Sequence, residues 1–114
     1  MTYNYETKQD VLLLSLSGDL IGEDKGAELM EVVNNQMNDS ILKCAIDISE
    51  LRYINSSGIG VLITILTKFR NKGGELCLIN PSENVSKLLI ITKLNAIFSI
   101  VDTEEEAFEQ LRKA

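Results

Sequence analysis

Histidine is absent from this chain of 114 residues, proline occurs once and cysteine twice. Each shortage removes a class of chemistry. Without histidine a nucleophilic serine has no ordinary base, and the Gly-x-Ser-x-Gly turn that presents such a serine in many hydrolases is missing. A serine–lysine dyad stays open on composition, but nothing in the pattern places Lys68 or Lys72 beside a serine. Two cysteines without histidine do not make a metal-ligand cluster. Cys44 and Cys77 both fall in apolar, strand-like segments and read as buried, unpaired thiols. The Gly-Lys-Ser/Thr ending of a nucleotide-binding loop is also missing. The expectation is a protein with no catalytic residue, no metal and no cofactor.

Positive charge is scarce as well, with 11 Lys and Arg against 17 Asp and Glu, a net charge of −6. That balance argues against nucleic-acid binding, which needs a basic footprint, and disfavours an anionic membrane surface. It is compatible with a basic protein partner. No apolar run approaches the roughly 20 residues needed to span a bilayer. Residues 1–10 lack the basic segment and apolar run of a signal peptide. A cytoplasmic location without membrane insertion is the resulting expectation. Hydrophobic content of 45% and charged content of 25% suit one globular domain over residues 1–114.

Tyr3–Thr7 and Val11–Leu16 read as a hairpin turning at Lys8-Gln9-Asp10, with Ser17–Gly22 as a loop. A helix is predicted from about Glu23 to Asn38, with Leu29, Val33 and Met37 on one face, Met30 beside them, and Glu23, Asp24 and Glu28 at its positive end. Residues 41–48 read as a buried strand, followed by a helix whose apolar positions are Ile59, Leu62, Ile63, Ile65, Leu66 and Phe69. Glu75–Ile79 is a further strand, and Asn80-Pro81-Ser82-Glu83 reads as an Asn cap opening a helix to about Lys93, with Val85, Leu88, Leu89 and Thr92 inward. Residues 95–99 form a connector, Ile100-Val101 a short strand, and Thr103–Glu106 a capping box ahead of a last helix with Ala107, Phe108 and Leu111 inward. The alternation predicts an α/β domain with a mixed, mainly parallel sheet of about five strands and about four helices packed mainly on one side.

The junction Asn55-Ser56-Ser57-Gly58-Ile59-Gly60 carries the functional interest. Asn and Ser are favoured at helix starts because their side-chain oxygens accept from unpaired backbone N–H groups, and two serines supply one hydroxyl more than a cap needs. Gly58 and Gly60 weaken a helix by roughly 1 kcal/mol each relative to alanine. In return they thin the first turn, where free donors and the helix dipole favour a phosphate. The same residues also make an ordinary cap and loop.

Asp47-Ile48-Ser49-Glu50-Leu51 followed by Ile54-Asn55-Ser56-Ser57-Gly58-Ile59-Gly60-Val61-Leu62 resembles the signature of STAS-domain proteins of the anti-sigma factor antagonist type. In that family a strand ending in Asp-Leu-Ser leads through an Asp-Ser-Ser/Thr-Gly-Leu-Gly turn into a helix. The resemblance extends more loosely from Gly18-Asp19-Leu20 to Gly73-Gly74-Glu75-Leu76 and the last helix. It implies a STAS-like fold and a switch: the unphosphorylated antagonist binds an anti-sigma factor that is also a serine kinase and so releases the sigma factor. Phosphorylation inactivates it, and a serine phosphatase restores it. Matched onto this chain, the acceptor is Ser56, with Ser57 as runner-up, and the partner-binding set is Ile21, Asn55, Ser57, Gly58, Ile59, Gly60 and Ile63. Two positions depart from the family: Asn55 stands for the acidic residue before the acceptor, and Ile21 for the acidic residue after Gly-x-Leu. The departures leave open an unphosphorylated STAS subunit of a transporter-accessory or stress-signalling complex, and a small-molecule module with the helix start as phosphate seat.

Overall fold

A computed structural model describes residues 1–21 and 24–113, without the side chains of residues 24 and 25. β1 (Thr2–Lys8) and β2 (Val11–Leu20) form an antiparallel hairpin. Its two-residue turn holds Gln9 and Asp10 at φ of 54° and 63°, the left-handed geometry that matches the twist of paired strands. α1 (Asp24–Asn38), β3 (Lys43–Ile54), α2 (Ser56–Asn71), β4 (Glu75–Ile79), α3 (Glu83–Ile91), β5 (Ser99–Val101) and α4 (Glu104–Lys113) follow. A single 3-10 turn, Leu94–Ala96, links α3 to β5 in the segment expected as a connector. Glu23 and the side chain of Asp24, expected at the positive end of the first helix, lie outside the described residues.

The five strands stand in chain order, and only the β1–β2 pair is antiparallel. Leu12, Leu14, Cys44, Ile46, Leu76 and Leu78 face one side, where Leu29, Val33, Leu62, Phe69, Val85 and Leu89 of α1, α2 and α3 cover them. Val11, Ala45, Cys77 and Ile79 face the other side, where Ala107, Phe108 and Leu111 of α4 close over them. The predicted α/β sheet, with helices mainly on one side, is the architecture observed. Cys44 and Cys77 are buried and free, on opposite faces of neighbouring strands. Burial pushes both thiols up, Cys77 to about 11, so neither is a reactive thiolate at neutral pH.

Two boundaries differ from the sequence reading in a linked way. Residues 17–20, expected in a loop, continue β2, and residues 49–54, expected in a junction, continue β3. Gly18 pairs with Leu51, Asp19 with Tyr53 and Leu20 with Ile54. β3 uses 12 residues against 10 in β2, and the surplus is absorbed as register shifts beside Ser17 and Asp19. Such bulges break the alternation of apolar and polar residues, which is why these positions read as loop. A third difference lies at α3. Its cap is Ser82, whose hydroxyl accepts from the Val85 N–H, and not Asn80. Asn80 sits at φ 47° and ends β4 instead, donating its N–H to the Val101 carbonyl at 2.8 Å. α3 also stops at Ile91. Val85 and Leu89 are buried and Leu88 is half-buried, while Thr92, expected inward, is the exposed C-cap.

Candidate functional site

β2 and β3 rise together past the end of β4, whose pairing with β3 stops at Asp47–Ile79. Their joint tip carries the start of α2. Asn55 leaves the sheet in an extended conformation and caps the helix, its Oδ1 accepting from the Gly58 N–H at 2.8 Å. The Asn55 N–H donates to the Leu20 carbonyl, and the Asn55 carbonyl accepts the first helical bond, from Ile59, at 2.9 Å. Asn55 therefore joins the sheet ladder to the helix, as an N-cap should.

Ser56 and Ser57 occupy the first two helical positions and are exposed. Among the described residues, no group bonds either hydroxyl. No acidic residue stands in the first turn of α2, so the positive end of its dipole is not offset from within the helix. Below the tip, the Arg52 guanidinium grips the Asp19 carboxylate with two bonds of 3.0 and 2.9 Å. The hydrogen bond from Arg52 holds the Asp19 carboxyl below its ordinary range. The two charges offset each other at the shoulder of the site.

The two glycines have different tasks. A Cβ on Gly58 would lie 2.3 Å from the Leu20 carbonyl oxygen and 2.8 Å from Ile54 Cγ1. Gly58 is buried, and only its lack of a side chain lets α2 close onto the β2 tip. Gly58, expected as part of the partner-binding surface, is a close-packed position in this fold, and its N–H is already taken by Asn55. Gly60 is exposed, with nothing among the described residues within 4 Å of a Cβ placed there. The bare first turn expected from both glycines is thus supplied by Gly60 alone. Ile59 and Ile63 are half-buried and pack against the core, so each offers only part of its surface outward. Ile21 is 47% exposed and leaves the sheet just above Leu20, opposite the strand end that leads into Asn55.

One neighbour was not read from the sequence. Tyr53, 48% exposed, pairs in register with Asp19 and adds a second large apolar surface near Ile21. The signal available was the opposite charge of Asp19 and Arg52, meaningful only once both lie on paired strands. Among the described residues no group of three or more His, Cys, Asp or Glu is placed to hold a metal, and no helix is long and apolar enough to cross a membrane.

Comparison with known proteins places these features in a group. The model of the STAS domain family matches residues 2–107. A Thermotoga maritima protein, provisionally named an anti-sigma factor antagonist, is 30% identical over 111 residues, covering 97% of this chain and 98% of that protein. A crystal structure of a protein so named from the same organism superposes with a TM-score of 0.87 at 29% identity, over 96% of this chain and 94% of the other. The unphosphorylated form of the anti-sigma factor antagonist SpoIIAA superposes with a TM-score of 0.84 at 20% identity, over 99% and 98% of the two chains, a likeness of fold.

Proposed function

The chain belongs to the STAS domain family, and from that membership we propose that it is an anti-sigma factor antagonist whose binding face is the α2 tip and whose switch is a phosphate on Ser56. In this reading it is a binding protein and not an enzyme. Its partner is an anti-sigma factor that is also a serine kinase, and a serine phosphatase resets it. The observation that carries the reading is the pair of exposed hydroxyls of Ser56 and Ser57, unbonded among the described residues, at a helix N-terminus, in a chain whose curated relative bears the antagonist name.

Physical chemistry supports the switch. A phosphate adds about −1.5 to −2 charges and three acceptor oxygens. At a helix N-terminus that charge is tolerated, so modification need not unfold the domain. On a partner surface fitted to a bare hydroxyl and the open Gly60 turn, the same group clashes and must be desolvated. An effect of about 3 kcal/mol would weaken binding more than a hundredfold. Ser57, equally exposed, is the second candidate acceptor.

The Asp19–Arg52 pair sharpens the proposal. With Asn55 and Ile21 where the family has acidic residues, and with Asp19 held by Arg52, the phosphate would supply a negative charge that these positions lack. Ile21, Tyr53, and the outward parts of Ile59 and Ile63 give the unmodified face an apolar character that suits a protein partner. The test is incubation with the anti-sigma kinase of the source organism and magnesium-ATP, read by intact mass. One phosphoryl group is expected on the native chain and none on Ser56→Ala, which should still bind the kinase. Absence of both phosphoryl gain and binding would overturn the reading; binding without phosphoryl gain would leave an interaction subunit and remove the switch.

A further inference from the structure

At the opposite end of α2 from the serines, a groove of about 260 Å³ runs between the last turns of α1 and α2, lined by Asn34, Met37, Asn38, Lys68, Asn71 and Lys72. We propose that this groove binds an acidic segment of a partner protein, its carboxylates on Lys68 and Lys72 and its backbone on the three asparagine amides.

Charge distribution is the first argument. The chain carries a net charge of −6, and five of its cations are tied to carboxylates: Lys8, Arg52, Arg70, Lys87 and Lys113. Lys68 and Lys72 make no ion pair among the described residues, yet they stand one helical turn apart on the wall of one groove. The helix dipole favours a cation in the last turn of α2. Arg70 already supplies one there, bound to Glu75 and to the Ile97 carbonyl. Lys68 and Lys72 add two further cations to the lining of one concavity, in a chain short of positive charge, beside the last turn of α1, which has no basic residue of its own.

The lining identifies the kind of ligand. Asn34 and Asn38 repeat one turn apart on α1 and face Asn71 across the groove. Each amide offers two donors and an acceptor, the complement of a peptide unit, and among the described residues none of the three side chains has a hydrogen-bond partner. Met37 is half-buried on the core and provides an adaptable apolar floor. The volume falls below the roughly 300–1,000 Å³ typical of pockets that enclose a small molecule. An open groove of this size suits a short stretch of a longer chain better than a sequestered metabolite. The neighbouring carboxylates, Glu31 and Asp39, do not line it.

The test titrates the isotopically labelled full chain with a capped hexapeptide of alternating glutamate and leucine and follows amide shifts. Shifts at residues 34, 38, 68, 71 and 72 are expected, with binding at least about tenfold weaker for the double variant Lys68→Gln, Lys72→Gln and weaker in high salt. A glutamine–leucine peptide should give none of them. Lys72 is exposed, Lys68 is half-buried, and neither makes an ion pair among the described residues, so the variant should keep its melting temperature. The proposal is overturned if no shifts appear, if they survive in the double variant, or if sodium acetate or inorganic phosphate reproduces them at equal affinity, which would make the groove a simple anion seat. Ser56 lies at the other end of α2, so none of these outcomes bears on the phosphorylation switch.

Discussion

At the start of α3 the Ser82 hydroxyl makes two bonds. It donates to the Leu51 carbonyl at 2.5 Å and accepts from the Val85 N–H, and Glu83 follows in the first turn. At the start of α2 the capping task falls to Asn55, no acid follows, and Ser56 and Ser57 are exposed without a partner among the described residues. Both helices rise from the same end of the sheet. At α3 the serine is structural: it caps a helix and also satisfies a carbonyl of β3 beyond the end of β4. At α2 the cap is separate from the hydroxyls, so the hydroxyls can be modified while the cap stays intact. A helix start needs one side-chain acceptor, and hydroxyls beyond that number are available for another purpose.

The largest effect that would break this contrast is expected at Gly58. A Cβ there meets a backbone oxygen at 2.3 Å, and that oxygen, on Leu20, also receives the Asn55 N–H. The clash cannot be relieved by turning a side chain. Gly58→Ala should therefore destabilise by about 3 kcal/mol despite alanine's better helix propensity. Gly60→Ala, with open space around it, should instead stabilise by up to about 1 kcal/mol. Urea unfolding of the two variants checks both signs. An equal response would mean the two glycines are not divided between packing and exposure.

How much of this was legible in the sequence depends on which periodicity held. Leu29 and Val33, Leu62, Ile65, Leu66 and Phe69, and Ala107, Phe108 and Leu111 keep helical spacing, and all point into the core as that spacing implies. Glu75–Ile79 reads to its observed ends because Gly73-Gly74 and Asn80-Pro81 bound a run too short for a helix. The tips of β2 and β3 were missed because bulges disrupt the two-residue alternation there. That error hid the Asp19–Arg52 pair and the placement of Tyr53 next to it. At the site, the position of the serines on a helix start could be read from Asn55 and the apolar spacing that follows. The division of labour between Gly58 and Gly60 could not, because it depends on the approach of Leu20 from 38 positions earlier in the chain.

A second, smaller effect is expected at Ser82. Ser82→Ala removes the α3 cap, worth about 1 kcal/mol, and leaves the Leu51 carbonyl without its donor, worth about 1 kcal/mol more. A loss of about 2 kcal/mol should appear in urea unfolding, with phosphorylation at Ser56 unchanged. Asn55→Ala should lose about 1 kcal/mol by the same capping argument. Asn55→Asp keeps an acceptor and adds a negative charge at the positive helix end, so it should match or exceed the native stability by a few tenths of a kcal/mol. It would also place a negative charge at the start of α2, whose first turn has no acidic residue. If that tip meets its partner through apolar contact, Asn55→Asp should weaken binding while stabilising the fold, two readouts of opposite sign in one variant.

The smallest effect on stability is expected at the residue of most functional interest. Ser56 makes no side-chain bond among the described residues and sits in the first helical position, so Ser56→Ala should change unfolding free energy by no more than about 0.5 kcal/mol. Under the proposed switch the same substitution removes every trace of phosphoryl transfer at that position. Ser82→Ala should do the reverse, with a large stability change and an unaltered modification. The pair of variants therefore separates the two uses of a serine at a helix start. A substantial stability loss for Ser56→Ala would show that its hydroxyl is bound within the fold after all, and the division between the α2 and α3 starts would fail with it.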